Sequence, residues 1–133
     1  MKTAREVLRE FLKAWENEAW DKMKKNCQKT WVAEHSSSRF LSPRRILKNM
    51  FGNIKLVEWE DGEEFVVGEA CFDIEVTATL EVKDEKHFRE VPKQGTGKVR
   101  LICEKAPYKP HLVAGTWGVN PISALKIIGG MKA

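Results

Sequence analysis

The sequence has no run of 18 apolar residues, which excludes a membrane-spanning helix of ordinary length. Among its 133 residues are one tyrosine and three histidines. None of His35, His87 and His111 stands at metal-ligand spacing from another, and no Cys or carboxylate cluster joins them, so no metal is expected. The three cysteines, Cys27, Cys71 and Cys103, are odd in number and far apart, with no Cys-x-x-Cys pair. They read as buried reduced thiols on apolar faces. Cys27 has Lys24 and Lys25 close in sequence, but it falls late in a predicted helix, where the dipole disfavours a thiolate. The segment "MKTAREVLREF" has no apolar signal-peptide core. The expected location is therefore the cytoplasm, with a shortened form of an anchored protein as the alternative. There is no internal repeat and no low-complexity tract.

What is present suits one domain over residues 1–133, long enough to bury a core without metal or disulfide support. The net charge of +4 conceals three blocks: residues 1–57 carry +7, residues 58–90 carry −9, and residues 91–133 carry +6. So acidic a centre argues against a dedicated nucleic-acid binder unless that block faces away.

Thr3-x-x-Glu6 is a capping box, and Val7, Leu8, Phe11, Leu12 and Trp15 follow as one helical stripe. Asn17 is the expected N-cap of a second helix. That helix carries Trp20, Met23, Cys27 and Trp31 on one face, with Lys22, Lys24, Lys25 and Lys29 on the others. After the polar loop "EHSSSRFL", Ser42-Pro43 opens a third helix that buries Ile46, Leu47, Met50 and Phe51 and ends at Gly52.

The period then changes to two. "IKLVEWE" predicts a strand, and Asp61-Gly62 a two-residue hairpin turn. The partner strand spans about Glu63 to Val82. Its even positions Ala70, Phe72, Ile74, Val76, Ala78, Leu80 and Val82 are apolar, and Asp73, Glu75, Thr77, Thr79 and Glu81 between them are polar. A bulge at Gly68-Glu69 reconciles this phase with Phe65 and Val67. "KDEKH" is the next turn, and Pro92 marks an edge or bulge. "GKVRLICEK" resumes as a strand with Val99, Leu101 and Cys103 on one side. "APYKP" turns again, and "HLVAGTWGV" is the last strand, with Val113, Trp117 and Val119 sharing a face. Asn120-Pro121 ends the ladder, since proline donates no backbone hydrogen bond. A short tail begins at about 122, whose Ile122, Leu125 and Ile128 pack back on the body or face a partner.

Helices first and strands afterwards argue α+β, with the helices on one face of an antiparallel sheet. Long bent strands are expected to wrap those helices into a hollow cone. The helix "AREVLREFLKAWENEAWDKM", its quick reversal, and a last strand with Trp followed by "VNP" resemble a nuclear transport factor 2-like domain of the cystatin-like superfamily. The resemblance runs from about Thr3 to Ser123. Members include steroid isomerases, dehydratases, polyketide cyclases, transport factors, and accessory domains of bacterial secretion or conjugation machines. It implies a ligand or active site at the open end of the cone, and often a dimer through the outer sheet face.

Enzymes of that family use a buried Asp or His, sometimes a Tyr. Here Asp61 is explained by its turn, Asp73 and Glu75 by a solvated face, and Tyr108 by a loop, so no catalytic residue and no cofactor are assigned. His35 and Ser36, Ser37 and Ser38 read as loop formers. Gly95-Thr-Gly97 lacks the third glycine and following helix of a phosphate loop. Arg44-Arg45 reads as a solvated face or an anion contact. Trp15 reads as core. Trp20, Trp31, Phe72, Ile74, Leu101 and Trp117 are the expected cone lining, for a small apolar ligand if the cone is open. Trp59, out of register with Ile54 and Leu56, and Ile102 are the expected interface residues. The favoured reading is a non-catalytic binding or assembly module, homodimeric through its sheet face. The alternatives are an isomerase-like or dehydratase-like enzyme or carrier, and nucleic-acid binding through Lys22, Lys24, Lys25, Lys29, Arg44, Arg45 and Lys48.

Overall fold

A computed structural model describes residues 2–36, 41–83, 93–105, 109–110 and 115–131. The expectations for Ser37, Ser38, His87, Pro92, Tyr108, His111 and Val113 lie outside the described residues, as does most of the "KDEKH" turn.

Helix α1 spans Ala4–Glu16, α2 Trp20–Lys25, α3 Lys29–Glu34 and α4 Pro43–Phe51. Thr3 caps α1 by accepting from the Glu6 amide, and Ser42 caps α4 by accepting from the Arg45 amide, with Pro43 at the first turn. Asn17 does not open α2 but closes α1. The Glu18 amide donates to Trp15 O and the Ala19 amide to Ala14 O, which makes a Schellman ending with Glu18 at φ 54°. The expected second helix is split. Between its halves the backbone around Cys27 pairs in parallel with Val119, through Gln28 N to Val119 O and Val119 N to Asn26 O.

Strand β1 spans Ile54–Gly68, β2 Cys71–Val82, β3 Lys93–Lys105, β4 Lys109–Pro110 and β5 Thr116–Val119. The strand order is β1-β2-β3-β4, with β5 also on β3, and every named pairing is antiparallel. Asp61-Gly62 is not the hairpin turn. β1 continues through it, and the turn falls at Glu69-Ala70, overlapping the bulge expected at Gly68-Glu69. The register shifts between Leu56 and Glu58 and again between Asp61 and Glu64. A third shift, between Val66 and Gly68, lies next to the bulge expected at Gly68-Glu69, so β1 changes phase at three places along its length.

The alternation in β2 places Ile74, Val76, Ala78 and Leu80 in the core, opposite Val99 and the glycines of β3. Helix α1 covers this face with Leu8, Phe11, Leu12 and Trp15. Trp15 packs on Phe51 at 4.8 Å and donates its Nε1–H to Ile54 O at 2.9 Å, which ties α1 to α4 and to the start of β1. Each such fully buried side chain contributes about 1.5–3 kcal/mol by burial.

The segment from 122 is helical rather than a tail. α5 spans Pro121–Gly129, with Asn120 Oδ1 accepting from the amides of Ile122 and Ser123. Ala124 and Ile127 are buried against β3, Leu125 and Ile128 are half-buried, and Ile122 remains 61% exposed. Among the described residues, no helix is long and apolar enough to cross a membrane.

Candidate functional site

The helix-covered face is filled over β3 by the chain's own last helix. Gly95 and Gly97 let α5 lie directly on the strand, where a Cβ on Gly95 would fall 2.1 Å from Ile127 O. The Gly95-Thr-Gly97 pair is therefore a packing platform. Of the six residues expected to line a hollow, Trp20, Trp31, Ile74 and Leu101 are buried in the packed core. Trp31 also stacks on His35 at 4.7 Å, and His35 Nδ1 lies 2.7 Å from Trp31 O.

The other two, Phe72 and Trp117, meet at the far end of the sheet. Phe72 on β2 pairs with Leu101, and Trp117 on β5 pairs with Cys103, so both rings stand on the helix-covered face and flank β3. Their centroids are 5.0 Å apart and nearly parallel. With Lys2, Thr3, Ala4 and Arg5 at the start of α1, and Glu64 on β1, they line an open cleft of about 510 Å³. Val66, paired with Phe72 across the hairpin, is 76% exposed, and Val67 is 49% exposed.

Arg5, at the edge of this cleft, belongs to an ion cluster absent from the sequence reading. The second β1 bulge leaves Asp61 paired with Val76 and facing α1. Arg5 and Arg9, one turn apart, both reach it. Arg5 Nη1 lies 2.5 Å from Asp61 Oδ2 and 3.0 Å from Gly62 O, and Arg9 donates to both carboxylate oxygens at 3.1 Å. The Asp61 side chain is only 8% exposed. Burial pushes its carboxyl up, but the hydrogen bonds from Arg9 and Arg5 outweigh this and hold it below the usual carboxylate range. A general base needs a free lone pair and a pKa moved towards neutrality. Asp61 has neither, so it fastens α1 to β1. The only trace in the sequence was Arg5 and Arg9 at i,i+4 beside the apolar stripe of α1.

Trp59 does not face outward. The bulge after Leu56 brings it opposite Ala78, on the helix-covered side, where it packs against the core. Ile102 does lie on the outer face, half-buried opposite Cys71 and Gly118. Apart from Cys71 and, on β1, Phe65, its described neighbours on β2 and β3 are mostly polar. Arg100 binds Asp73 at 2.9 and 3.3 Å, Glu75 stands opposite Lys98, and Lys98 Nζ sits 4.0 Å above the Phe65 ring.

All three cysteines are free. Cys27 and Cys103 are buried and Cys71 is half-buried, and burial pushes the Cys27 thiol up to about 12. Such a thiol is a poor nucleophile near neutral pH. Among the described residues, no three His, Cys, Asp or Glu side chains are grouped to hold a metal. Arg44 pairs with Asp21 at 3.4 Å. No family model matches the chain, and no curated protein matches it in sequence.

Proposed function

We propose that this chain is a non-catalytic binding and assembly module of the nuclear transport factor 2-like kind, acting in the cytoplasm as a homodimer. Helices followed by an antiparallel sheet, with α1 laid on one face, support the likeness. The free cysteines suit a reducing compartment. The single observation that carries the binding role is the apolar hairpin end: exposed Val66 and Val67 beside the Phe72–Trp117 cleft. A surface bearing both an apolar knob and an apolar cleft is self-complementary under a two-fold rotation, in which each copy seats its valines in the other's cleft. The outer sheet face suits this contact less, because its cross-strand neighbours include ion pairs whose desolvation would offset much of the gain.

A second reading has one observation in its favour. Two stacked aromatic rings at the mouth of a cleft suit a flat apolar ligand, and this is the carrier alternative moved from the interior to the rim.

Sedimentation equilibrium over a wide concentration range tests the first reading. The wild-type chain should dimerise, and Val66→Glu with Val67→Glu should leave a folded monomer by circular dichroism. A wild-type chain that stays monomeric at millimolar concentration rejects it. Saturable quenching of tryptophan fluorescence by planar apolar compounds, lost in Trp117→Ala, would then favour the carrier.

A further inference from the structure

A second depression, which shares Lys2 with the first, lies between α1 and α2. Its floor is Ala14 and Ala19, the two small residues joined by the Schellman hydrogen bond. Its walls are Lys2, Glu10, Lys13, Asn17, Lys22, Lys25 and Asn26, and it encloses about 460 Å³. Small side chains where two helices meet leave a hollow, and here the rim around it is cationic. Lys2 is neutralised by Glu10 at 2.6 Å. Lys13, Lys22 and Lys25 are exposed and have no carboxylate partner among the described residues.

We propose that this groove binds a compact multivalent anion bearing phosphate groups, such as a di- or triphosphate moiety. Three lysines with no carboxylate partner among the described residues line one hollow together with Asn17 and Asn26, and Asn26 Nδ2 donates to Lys22 O at 2.9 Å. α1 ends at the groove, and its carbonyl end disfavours an anion by the equivalent of about half a charge, which three ammonium groups outweigh. Among the described residues no aromatic side chain lines the groove, so these offer a base nothing to stack on. Glu10 lines it and Glu16 and Glu18 lie exposed at the α1–α2 turn, so a long polyanion running past the groove would meet like charge. The site is therefore assigned to a small ligand rather than to a nucleic-acid strand.

The test uses inorganic tripolyphosphate and the full chain, with thermal unfolding and calorimetric titration. Tripolyphosphate should raise the melting temperature saturably, and added salt should weaken its binding. Lys13→Gln, Lys22→Gln and Lys25→Gln together should weaken binding by roughly tenfold or more. Lys55→Gln, outside the groove, should not, and circular dichroism should show both variants folded. The proposal is overturned by an absent shift, by an equal shift in the triple variant, or by an equal shift from sulfate at matched ionic strength. A single-stranded oligonucleotide that binds more tightly than tripolyphosphate, with affinity rising with length, also overturns it.

Discussion

Gly97 lies against the backbone of Ile127: a Cβ at position 97 would come within 2.8 Å of Ile127 N. The contact at Gly95 is closer still, and both lie under the C-terminal half of α5. The helix reaches its position because two side chains are missing beneath it.

Gly95→Ala should therefore lower stability by about 1–3 kcal/mol, since α5 must lift off β3 or the strand must bend. Gly129, at the end of the same helix, has no heavy atom within 4 Å of where a Cβ would sit. Gly129→Ala should be neutral or raise stability by up to about 1 kcal/mol. Urea unfolding of the two variants checks the contrast, and equal effects would mean that α5 does not rest on the strand.

The Asp61 cluster gives a pH dependence. A carboxyl held below its unfolded value stabilises the fold above the unfolded pKa of about 3.9, and that stability is lost as pH falls through the folded value. Asp61→Asn should cost about 1–2 kcal/mol near neutral pH, towards the low end because Arg5 and Arg9 are partly in water. The gap between wild type and variant should close as pH is lowered below about 4. A gap that stays constant from neutral to acid pH would show that Asp61 acts through something other than its charge.

Much of this fold was legible in periodicity. The α1 stripe, the Ser42-Pro43 start of α4 and the apolar even positions of β2 all follow from patterns of 3.6 and 2, because one face of each element is buried. Asp61-Gly62 misled because a dipeptide favoured in turns also suits a bulge, and only the partner's register tells them apart. A different bulge, after Leu56, put Trp59 on the face opposite to the expected one. Asn120-Pro121 carries the cap-and-proline signal that identified α4, yet it reads equally as the end of a strand. The cleft was half legible. Phe72 and Trp117 were visible as apolar strand residues, but their meeting across β3 depends on a pairing register that no local pattern specifies. The Asp61 cluster joins residues more than fifty positions apart, and beyond the i,i+4 spacing of Arg5 and Arg9 nothing local pointed to it.

The α1–α2 turn places a glutamate where glycine is the usual choice. Glu18 sits at φ 54°, in the left-handed region that disfavours a Cβ. Its side chain pairs with Lys83, both ends partly in water, a contact worth little. Glu18→Gly should therefore raise stability by about 0.5 kcal/mol in chemical denaturation, the relief of strain exceeding the lost ion pair. A loss of 1 kcal/mol or more, on the order of a good ion pair, would mean that the Lys83 contact outweighs the strain.

Glu104 is the one buried side chain among the described residues with a polar atom left over. Thr30 on α3 donates to its Oε2, while Oε1 is buried without a hydrogen-bond partner. Removing the hydroxyl in Thr30→Val should cost about 1–3 kcal/mol, because it takes away a donor from a carboxylate that water does not reach. Glu104→Leu removes the unsatisfied oxygen and should be far milder, since an apolar side chain of similar volume carries no desolvation penalty. In that background Thr30→Val should cost much less than it does alone. The double-mutant cycle isolates this coupling, and additive effects would show that the Thr30–Glu104 contact does not hold α3 to the end of β3.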